Sequence, residues 1–274
     1  MLLIGWKRHS CYNNGMKKII VANWKMNPES PREAKEIFNP VKKLALTLKK
    51  VNTVICPPAV YLPLLNPQGP TFKPVKVGPL KFGAQDCFGD LLGAYTGKIG
   101  PTMLRNSGAS YIILGHSEAR AMGDNDLVVN HKLRLAFKNN LKVILCVGEH
   151  QRDEHATYLQ FIKTQLEEDL RNVQRKSAGD LVIAYEPIWA IGAQAKGADT
   201  PEGFQHQAIY IRKILASLFG KEAAMKIPVI YGGSTNSQNA EGFLKQGEAD
   251  GLLVGRASLD PSEFNKILKI AEQC

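Results

Sequence analysis

The chain has 274 residues, of which 44% are hydrophobic and 22% charged, a composition typical of a globular protein with a sizeable core. No apolar run is long enough to cross a bilayer, so we expect no membrane partner. The formal net charge of +10 favours anionic partners. Because the lysines are scattered along helix-like stretches, we expect small phosphorylated molecules rather than nucleic acid.

The chain opens on a segment that fits no structural element. The stretch "MLLIGWKRHSCYNNG" places apolar residues ahead of its first charge, which is the reverse of a secretory signal. We therefore predict that residues 1–16 form a disordered N-terminal extension, with Met16 as an alternative start. No linker rich in glycine and serine divides the remainder, so residues 17–274 are predicted to form one domain.

Eight short apolar runs recur along this domain. Each is apolar at successive positions rather than at alternate ones, as expected for parallel strands that are covered on both faces. The predicted strands span residues 18–24, 52–56, 80–85, 110–115, 142–147, 181–186, 227–232 and 250–255.

Helical patterns with readable ends lie between the predicted strands. Ser30 is the expected N-cap of the first helix, with Pro31 in its first turn, and Pro40 is expected to end or kink it. Another helix should begin at Thr200 and close at Gly220. A third runs through "NSQNAEGFLKQG" to a C-terminal glycine.

Strand and helix alternate eight times, which predicts the α/β class and a single closed (β/α)8 barrel. The alternative is a doubly wound open sheet, which would carry a glycine fingerprint after its first strand. Here the first strand ends in "NWKMN", which contains no glycine. A lysine at that position points instead to a site built from side chains.

The cysteines are odd in number and widely spaced. They form no CxxC pair and no cluster with histidine of the zinc-binding type. We therefore predict reduced thiols, a cytoplasmic location and no metal. The five are Cys11, Cys56, Cys87, Cys146 and Cys274.

Functional residues of a parallel barrel collect where its strands end. Taken singly, each polar residue there has an ordinary explanation, such as a surface lysine, a structural histidine or a turn glycine. Taken together on one rim, they supply a base, a neutral acid, a cation and two sets of backbone N–H groups for an anion. That set suits proton transfer beside the carbonyl of a phosphorylated substrate. The residues are Asn23, Lys25, His116, Glu118, Glu186, Ser234, Gly255 and Arg256.

Seven motifs occur in the order that triose-phosphate isomerases have them, from Lys17 to the end of the chain. They are "NWKMN", "GAYTG", "ILGHSE", "CVGE", "AYEPIWAIG", "YGGS" and "VGRAS", the last matching the pattern VGxAS. The chain thus resembles the triose-phosphate isomerase family. The resemblance implies the TIM-barrel fold and interconversion of dihydroxyacetone phosphate and glyceraldehyde 3-phosphate, without a cofactor, in glycolysis and gluconeogenesis.

The resemblance also implies a role for each catalytic residue. Glu186 would be the base that moves a proton between two carbons, and His116 the neutral electrophile at the carbonyl oxygen. Lys25 would offset the negative charge of the substrate, with Asn23 as a further donor. Glu118 would steady Lys25.

Phosphate binding is implied for backbone N–H groups of Gly192, Ser234, Gly255 and Arg256. Gly192 lies at the tip of a lid that follows Glu186, and closure of such a lid excludes water and protects the enediolate. The lid is about two residues longer than the resemblance leads us to expect. Arg256 stands where most members have glycine, and the sequence leaves open whether its guanidinium faces solvent or the phosphate.

Three further departures concern a predicted homodimer that forms through the loop at residues 88–96. Asp86 stands where asparagine is usual, Lys98 where glutamate is usual and Ala119 where arginine is usual. The resemblance pairs the last two positions as an ion pair across the dimer. Because both are changed together, the ion pair is removed without placing an arginine opposite Lys98, and we expect Thr96 to reach a neighbouring subunit beside Lys25 and His116.

The residues alone leave two other classes of function open. Lys25 could form a Schiff base in a barrel aldolase, although Glu118 would keep it charged. A binding protein without catalysis could use the positive charge alone, but the presence of a base, an electrophile and a cation argues against it.

Overall fold

The computed structural model of the chain describes residues 16–66, 79–190 and 199–274. All eight predicted strands are present there, each within a few residues of its expected limits. They are β1 (Lys18–Asn23), β2 (Val51–Cys56), β3 (Leu80–Ala84), β4 (Tyr111–Leu114), β5 (Lys142–Val147), β6 (Leu181–Tyr185), β7 (Val229–Tyr231) and β8 (Gly251–Val254).

The strands are parallel and follow one another around a closed barrel in chain order. Closure is made by β1, which pairs with β2 on one side and with β8 on the other. The predicted α/β class and the single (β/α)8 barrel are therefore confirmed. The open-sheet alternative is wrong, because an open sheet would leave its two edge strands unpaired.

Helices cover the outside of the barrel. In chain order they are α1 (Pro31–Ala45), α2 (Leu62–Leu65), α3 (Pro101–Asn106), α4 (Ser117–Ala121), α5 (Asp126–Lys138), α6 (Thr157–Asp169), α7 (Pro201–Phe219), α8 (Lys221–Lys226), α9 (Ala240–Lys245) and α10 (Pro261–Gln273).

The predicted caps form as expected. The Ser30 hydroxyl accepts a hydrogen bond from the backbone N–H of Glu33 at 3.2 Å, and the Thr200 hydroxyl accepts one from Gly203 at 3.0 Å. Each satisfies an N–H group that the first turn of a helix leaves without a partner. Gly220 ends α7 with a φ of 84°, a conformation that glycine adopts without strain.

Pro40 does not end α1, which continues to Ala45, so of the two expected effects the helix end is wrong and a kink stays a prediction. Phe38 and Val41 are buried against the barrel and hold the helix on either side of the proline. Pro40 and Glu36 lie on the exposed face. The carbonyl that loses its hydrogen bond to the proline nitrogen is therefore on the side of the helix that meets water.

Side chains of the strands pack into two layers because successive residues point to opposite faces. In β1, Ile20 and Ala22 pack outward beneath the helices, while Ile19 and Val21 point into the barrel. The inner layer is filled by side chains from several strands, so the barrel is a packed core rather than a channel. Its members are Ile19, Val21, Val54, Cys56, Ile113, Ile144, Cys146, Val182, Ala184, Ile230 and Leu253.

Residues 1–15 lie outside the described residues, so the N-terminal extension stays a prediction. Among the residues that the structure describes, no helix is both long enough and apolar enough to span a membrane.

Candidate active site

A cavity of about 870 Å³ opens at the carboxyl ends of the strands. Its wall is built from the segments that follow β1, β4, β6, β7 and β8, where the sequence placed the candidate residues. Seven of those residues line it: Asn23, Lys25, His116, Glu186, Ser234, Gly255 and Arg256. Glu118 joins the group through Lys25, and Gly192 lies outside the described residues.

Glu186 follows β6 directly and is only 2% exposed. Its backbone N–H donates to the carbonyl of Val147 at 2.8 Å, which extends the barrel ladder to this residue and fixes its position. The carboxylate Oε2 accepts the backbone N–H of Ser117 at 3.1 Å. Oε1 is buried without a hydrogen bond from the described residues, so it is left to bond to a ligand.

Two glycines make room for Glu186. A Cβ on Gly148 would overlap the carbonyl oxygen of Glu186, and a Cβ on Gly232 would lie 2.9 Å from its Cγ. Both positions therefore require a residue without a side chain. They belong to the motifs "CVGE" and "YGGS", so each motif contains a glycine that is needed for the shape of the site.

His116 is the N-cap of α4 and is 9% exposed. Its Nδ1 accepts the backbone N–H of Glu118 at 3.2 Å, and a ring nitrogen that accepts a hydrogen bond carries no proton. The proton of a neutral ring is then on Nε2, which lies 3.3 Å from Oε1 of Glu186. This approach lacks the alignment of a hydrogen bond, and His116 lines the cavity, so its Nε2 is left to bond to a ligand there.

Lys25 adopts the left-handed backbone conformation, with a φ of 53°, which is uncommon for a residue with a long side chain. Two side chains stabilise it: Asn23 accepts the Lys25 N–H at 3.0 Å, and Gln85 donates to the Lys25 carbonyl at 2.8 Å. The ammonium group pairs with Oε1 of Glu118 at 2.6 Å. Strain of this kind is kept where a side chain must point in a fixed direction.

The segment after Glu186 is anchored by a buried carboxylate. Glu149 is 1% exposed and accepts hydrogen bonds from the Tyr185 hydroxyl at 2.7 Å and from Nε1 of Trp189 at 2.9 Å. It also pairs with Arg152 at 2.9 Å. Glu149 is thus fully used in holding the 3-10 turn Ile188–Ala190, which supports a structural role rather than that of a base.

Arg152 completes this anchor. Its guanidinium lies 4.8 Å from the centre of the Trp189 ring, donates to the Tyr185 hydroxyl at 2.8 Å and pairs with Asp199 at 3.0 Å. Burial alone would lower the pKa of Arg152, but Tyr185, Asp199 and Glu149 outweigh it and raise that pKa. Asp199 lies just beyond residues 191–198, so Arg152 ties together the two ends of that segment.

The loop after β7 also contacts the 3-10 turn Ile188–Ala190. The Ser234 hydroxyl donates to the carbonyl of Ala190 at 3.0 Å, so Ser234 both lines the cavity and holds the turn. Gly255 lies against Lys25, since a Cβ there would be 3.6 Å from its Cε. Among the described residues, no cluster of histidine, cysteine and carboxylate side chains could hold a metal ion.

Sequence reasoning missed several residues that position the site. Tyr185, Arg152 and Asp199 act through contacts between segments far apart in the chain, and no local pattern signals such contacts. Gln85 ends the third predicted strand and Ser117 lies within the motif "ILGHSE", but their contributions are an amide side chain and a backbone N–H. Only the three-dimensional arrangement reveals what these groups bond to.

A buried carboxylate, an imidazole whose Nδ1 accepts a backbone N–H and a lysine at the carboxyl rim of a closed parallel barrel define a (β/α)8 enzyme equipped to move protons on a small anionic substrate. A family model described as triosephosphate isomerase matches residues 18–271. The chain therefore belongs to the triosephosphate isomerase family.

Similarity to other proteins extends over nearly the whole chain. The triosephosphate isomerase of Dictyoglomus turgidum is 39% identical over 258 residues, covering 92% of this chain and 99% of the relative. That of Natranaerobius thermophilus is 38% identical over 262 residues, covering 94% and 97%. The crystal structure of triosephosphate isomerase from Bartonella henselae is similar with a TM-score of 0.76 and 31% identity, covering 93% of this chain and 99% of that one.

Proposed function

We propose that this chain interconverts dihydroxyacetone phosphate and glyceraldehyde 3-phosphate, with Glu186 and His116 transferring the protons. The observation that supports these roles best is the pairing of a buried, incompletely bonded carboxylate with an imidazole Nε2 3.3 Å away. One takes a proton from carbon and the other gives one to oxygen, which are the two transfers that an aldose–ketose isomerisation needs.

The protons balance without a cofactor. Glu186 takes a proton from carbon 1 of the ketose, the electron pair forms the double bond between carbons 1 and 2, and negative charge develops on the carbonyl oxygen. His116 donates the Nε2 proton to that oxygen and recovers one from the oxygen of carbon 1. Glu186 then returns its proton to carbon 2, which yields the aldehyde.

Lys25 and Asn23 stabilise the charge that develops on the oxygens. The ammonium of Lys25 is placed by its ion pair with Glu118, and both Lys25 and Asn23 line the cavity beside His116. A fixed cation within a site that excludes water stabilises an enediolate more than the same cation would in bulk solvent.

The phosphate is bound by backbone N–H groups of Gly192, Ser234, Gly255 and Arg256. Support comes from the last three, which line the same wall of the cavity on the segments after β7 and β8. Phosphate sites of (β/α)8 enzymes are commonly built from those two loops. The segment that holds Gly192 acts as a lid, and the turn before it is anchored by Glu149, Arg152 and Ser234.

The reaction belongs to glycolysis and gluconeogenesis, and the cytoplasm is the compartment we assign to the chain. The buried Cys56, Cys87 and Cys146 are free thiols, which suits a reducing compartment.

The functional unit is a homodimer formed through the loop at residues 88–96. Residues 90–99 of this region are all exposed, including Leu92 at 79% and Tyr95 at 46%. Met122 and Leu127 are also exposed, at 83% and 65%, and line a groove of about 720 Å³ at the base of the loop. Several exposed apolar side chains on one surface are typical of a surface that a partner covers.

The departures from the family pattern are compatible with this dimer. The Asp86 carboxylate accepts two hydrogen bonds from the Lys132 ammonium, at 2.9 and 3.0 Å, and shares this cation with Asp124, which accepts from it at 2.6 Å. Lys98 lies 5.8 Å from the centre of the Phe88 ring, and Ala119 lines the groove. Analytical ultracentrifugation tests the dimer, and a fully active monomer would refute it.

A coupled assay that oxidises NADH as dihydroxyacetone phosphate forms tests the reaction. Conversion of glyceraldehyde 3-phosphate is expected, and its absence would overturn the proposal. Borohydride reduction in the presence of substrate checks the aldolase alternative, because only a Schiff base on Lys25 would be trapped. We expect no adduct, since the ammonium of Lys25 is engaged by Glu118.

A further inference from the structure

Arg256 places a positive side chain on the wall of the active-site cavity. It follows Gly255, which lies against Lys25, and its own side chain is exposed. Lys25 is already paired with Glu118. Within residues 16–66, 79–190 and 199–274, no hydrogen bond or ion pair engages the Arg256 guanidinium.

Two carboxylates that line the same cavity as Arg256 have other partners. Asp260 caps α10 and accepts two backbone N–H groups of its first turn, at 2.8 and 3.2 Å. Glu263 accepts the N–H of Ser237 at 2.7 Å and pairs with Lys266 at 3.5 Å. The exposed Arg256 therefore keeps its charge available in a cavity where these two acids are already bonded.

The backbone of Arg256 tolerates a side chain without strain. The residue begins the 3-10 turn Arg256–Leu259 and is not among the described residues with a positive φ. The conformation that only glycine adopts easily is therefore not required here. A guanidinium can be added at this position while the backbone N–H keeps its direction.

We propose that the Arg256 side chain binds the phosphate of the substrate, in addition to the backbone N–H groups of the proposed site. This inference rests on the proposed function and makes Arg256 a residue that sets the affinity for dianionic substrates. A guanidinium offers two parallel N–H groups to two phosphate oxygens, and such charge-assisted bonds are stronger than those from neutral donors. Its contribution is confined to the phosphate, because proton transfer belongs to Glu186 and His116.

The test compares Arg256→Gln and Arg256→Lys with a matched control, Arg134→Gln. Arg134 is exposed on α5, does not line the cavity and makes no hydrogen bond or ion pair with the described residues. Two readouts are kcat/KM for glyceraldehyde 3-phosphate and for D-glyceraldehyde, which has no phosphate. A third is the dissociation constant of sulfate, a dianion, measured by calorimetry without turnover.

We expect Arg256→Gln to lower kcat/KM for the phosphorylated triose by about 5- to 20-fold and to weaken sulfate binding similarly. D-Glyceraldehyde turnover should not follow this fall, Arg256→Lys should recover part of the loss, and Arg134→Gln should match the unaltered chain. Equal losses for both trioses, or sulfate binding unchanged in Arg256→Gln, would overturn the proposal. Failure of the unaltered chain to isomerise triose phosphate would overturn the proposed function instead, while sulfate binding still tests Arg256.

Discussion

Gly232 lies against the side chain of Glu186, so closely that a Cβ on the glycine would be 2.9 Å from the glutamate Cγ. The contact joins the end of β7 to the end of β6. It means that the direction of the buried carboxylate is set partly by the absence of a side chain on the neighbouring strand.

Gly232→Ala should therefore displace Glu186 and lower kcat by about 100-fold, because an error of 1 Å in a reacting group can have an effect of that size. The coupled isomerase assay measures the change. Gly179→Ala is the matched control, since a Cβ on Gly179 meets nothing within 4 Å, and it should retain full activity. A Gly232→Ala enzyme as active as the control would show that the space beside Glu186 is not needed.

Glu186→Asp tests the base directly. The shorter side chain withdraws the carboxylate from the cavity by about one bond length, and kcat should fall by about 100-fold or more. Circular dichroism should show an unchanged fold. Glu154→Asp serves as the control, because Glu154 is exposed and outside the cavity. If Glu186→Asp and Glu154→Asp turn over at the same rate, another residue is the base.

Glu149→Gln should weaken the anchor of the turn after Glu186. The amide keeps the size of the side chain and one acceptor oxygen, but it loses the charge that pairs with Arg152 and strengthens the hydrogen bonds from Tyr185 and Trp189. A loss of about 1–3 kcal/mol in the free energy of unfolding is expected, which would lower Tm by several degrees. Differential scanning calorimetry measures it, with the exposed Glu154→Gln as control. Equal Tm values for the two variants would contradict the role of the anchor.

The buried thiols should resist labelling in the folded protein. Burial, and then the charge of Asp86, raise the pKa of Cys87 to about 12, so at pH 8 roughly one thiol in ten thousand is ionised. Since the pKa is raised, moving from pH 7 to pH 9 still leaves Cys87 almost fully protonated. Cys56 and Cys146 are buried as well, and their pKa values are also raised by burial.

Ellman's reagent checks this in a Cys11→Ser, Cys274→Ser variant, which retains the three buried cysteines. We expect slow reaction in buffer and rapid reaction of all three in guanidinium chloride, because thiolate formation requires unfolding. A thiol that reacts within seconds in the native variant would show that at least one of these sites opens readily.

The sequence by itself determined the barrel and the positions of most of the site. Continuous apolar runs define strands that must be covered on both faces, and eight of them separated by helices leave a closed parallel barrel as the consistent arrangement. Because all parallel strands end on one rim, Asn23, Lys25, His116 and Glu186 could be expected to meet there. The starts of two helices could also be predicted from the local sequence, because the Ser30 and Thr200 hydroxyls accept hydrogen bonds from N–H groups three residues away.

Only the tertiary structure decided how these residues are held. Arg152 contacts Trp189 and Asp199, and Gly232 makes room for Glu186, across separations that no local pattern records. Pro40 stays inside a helix because buried neighbours on the opposite face outweigh one missing hydrogen bond. Local preferences depend on a few neighbouring residues and can be read along the chain. Contacts between distant segments depend on how the whole barrel closes, and they set the direction of each catalytic group.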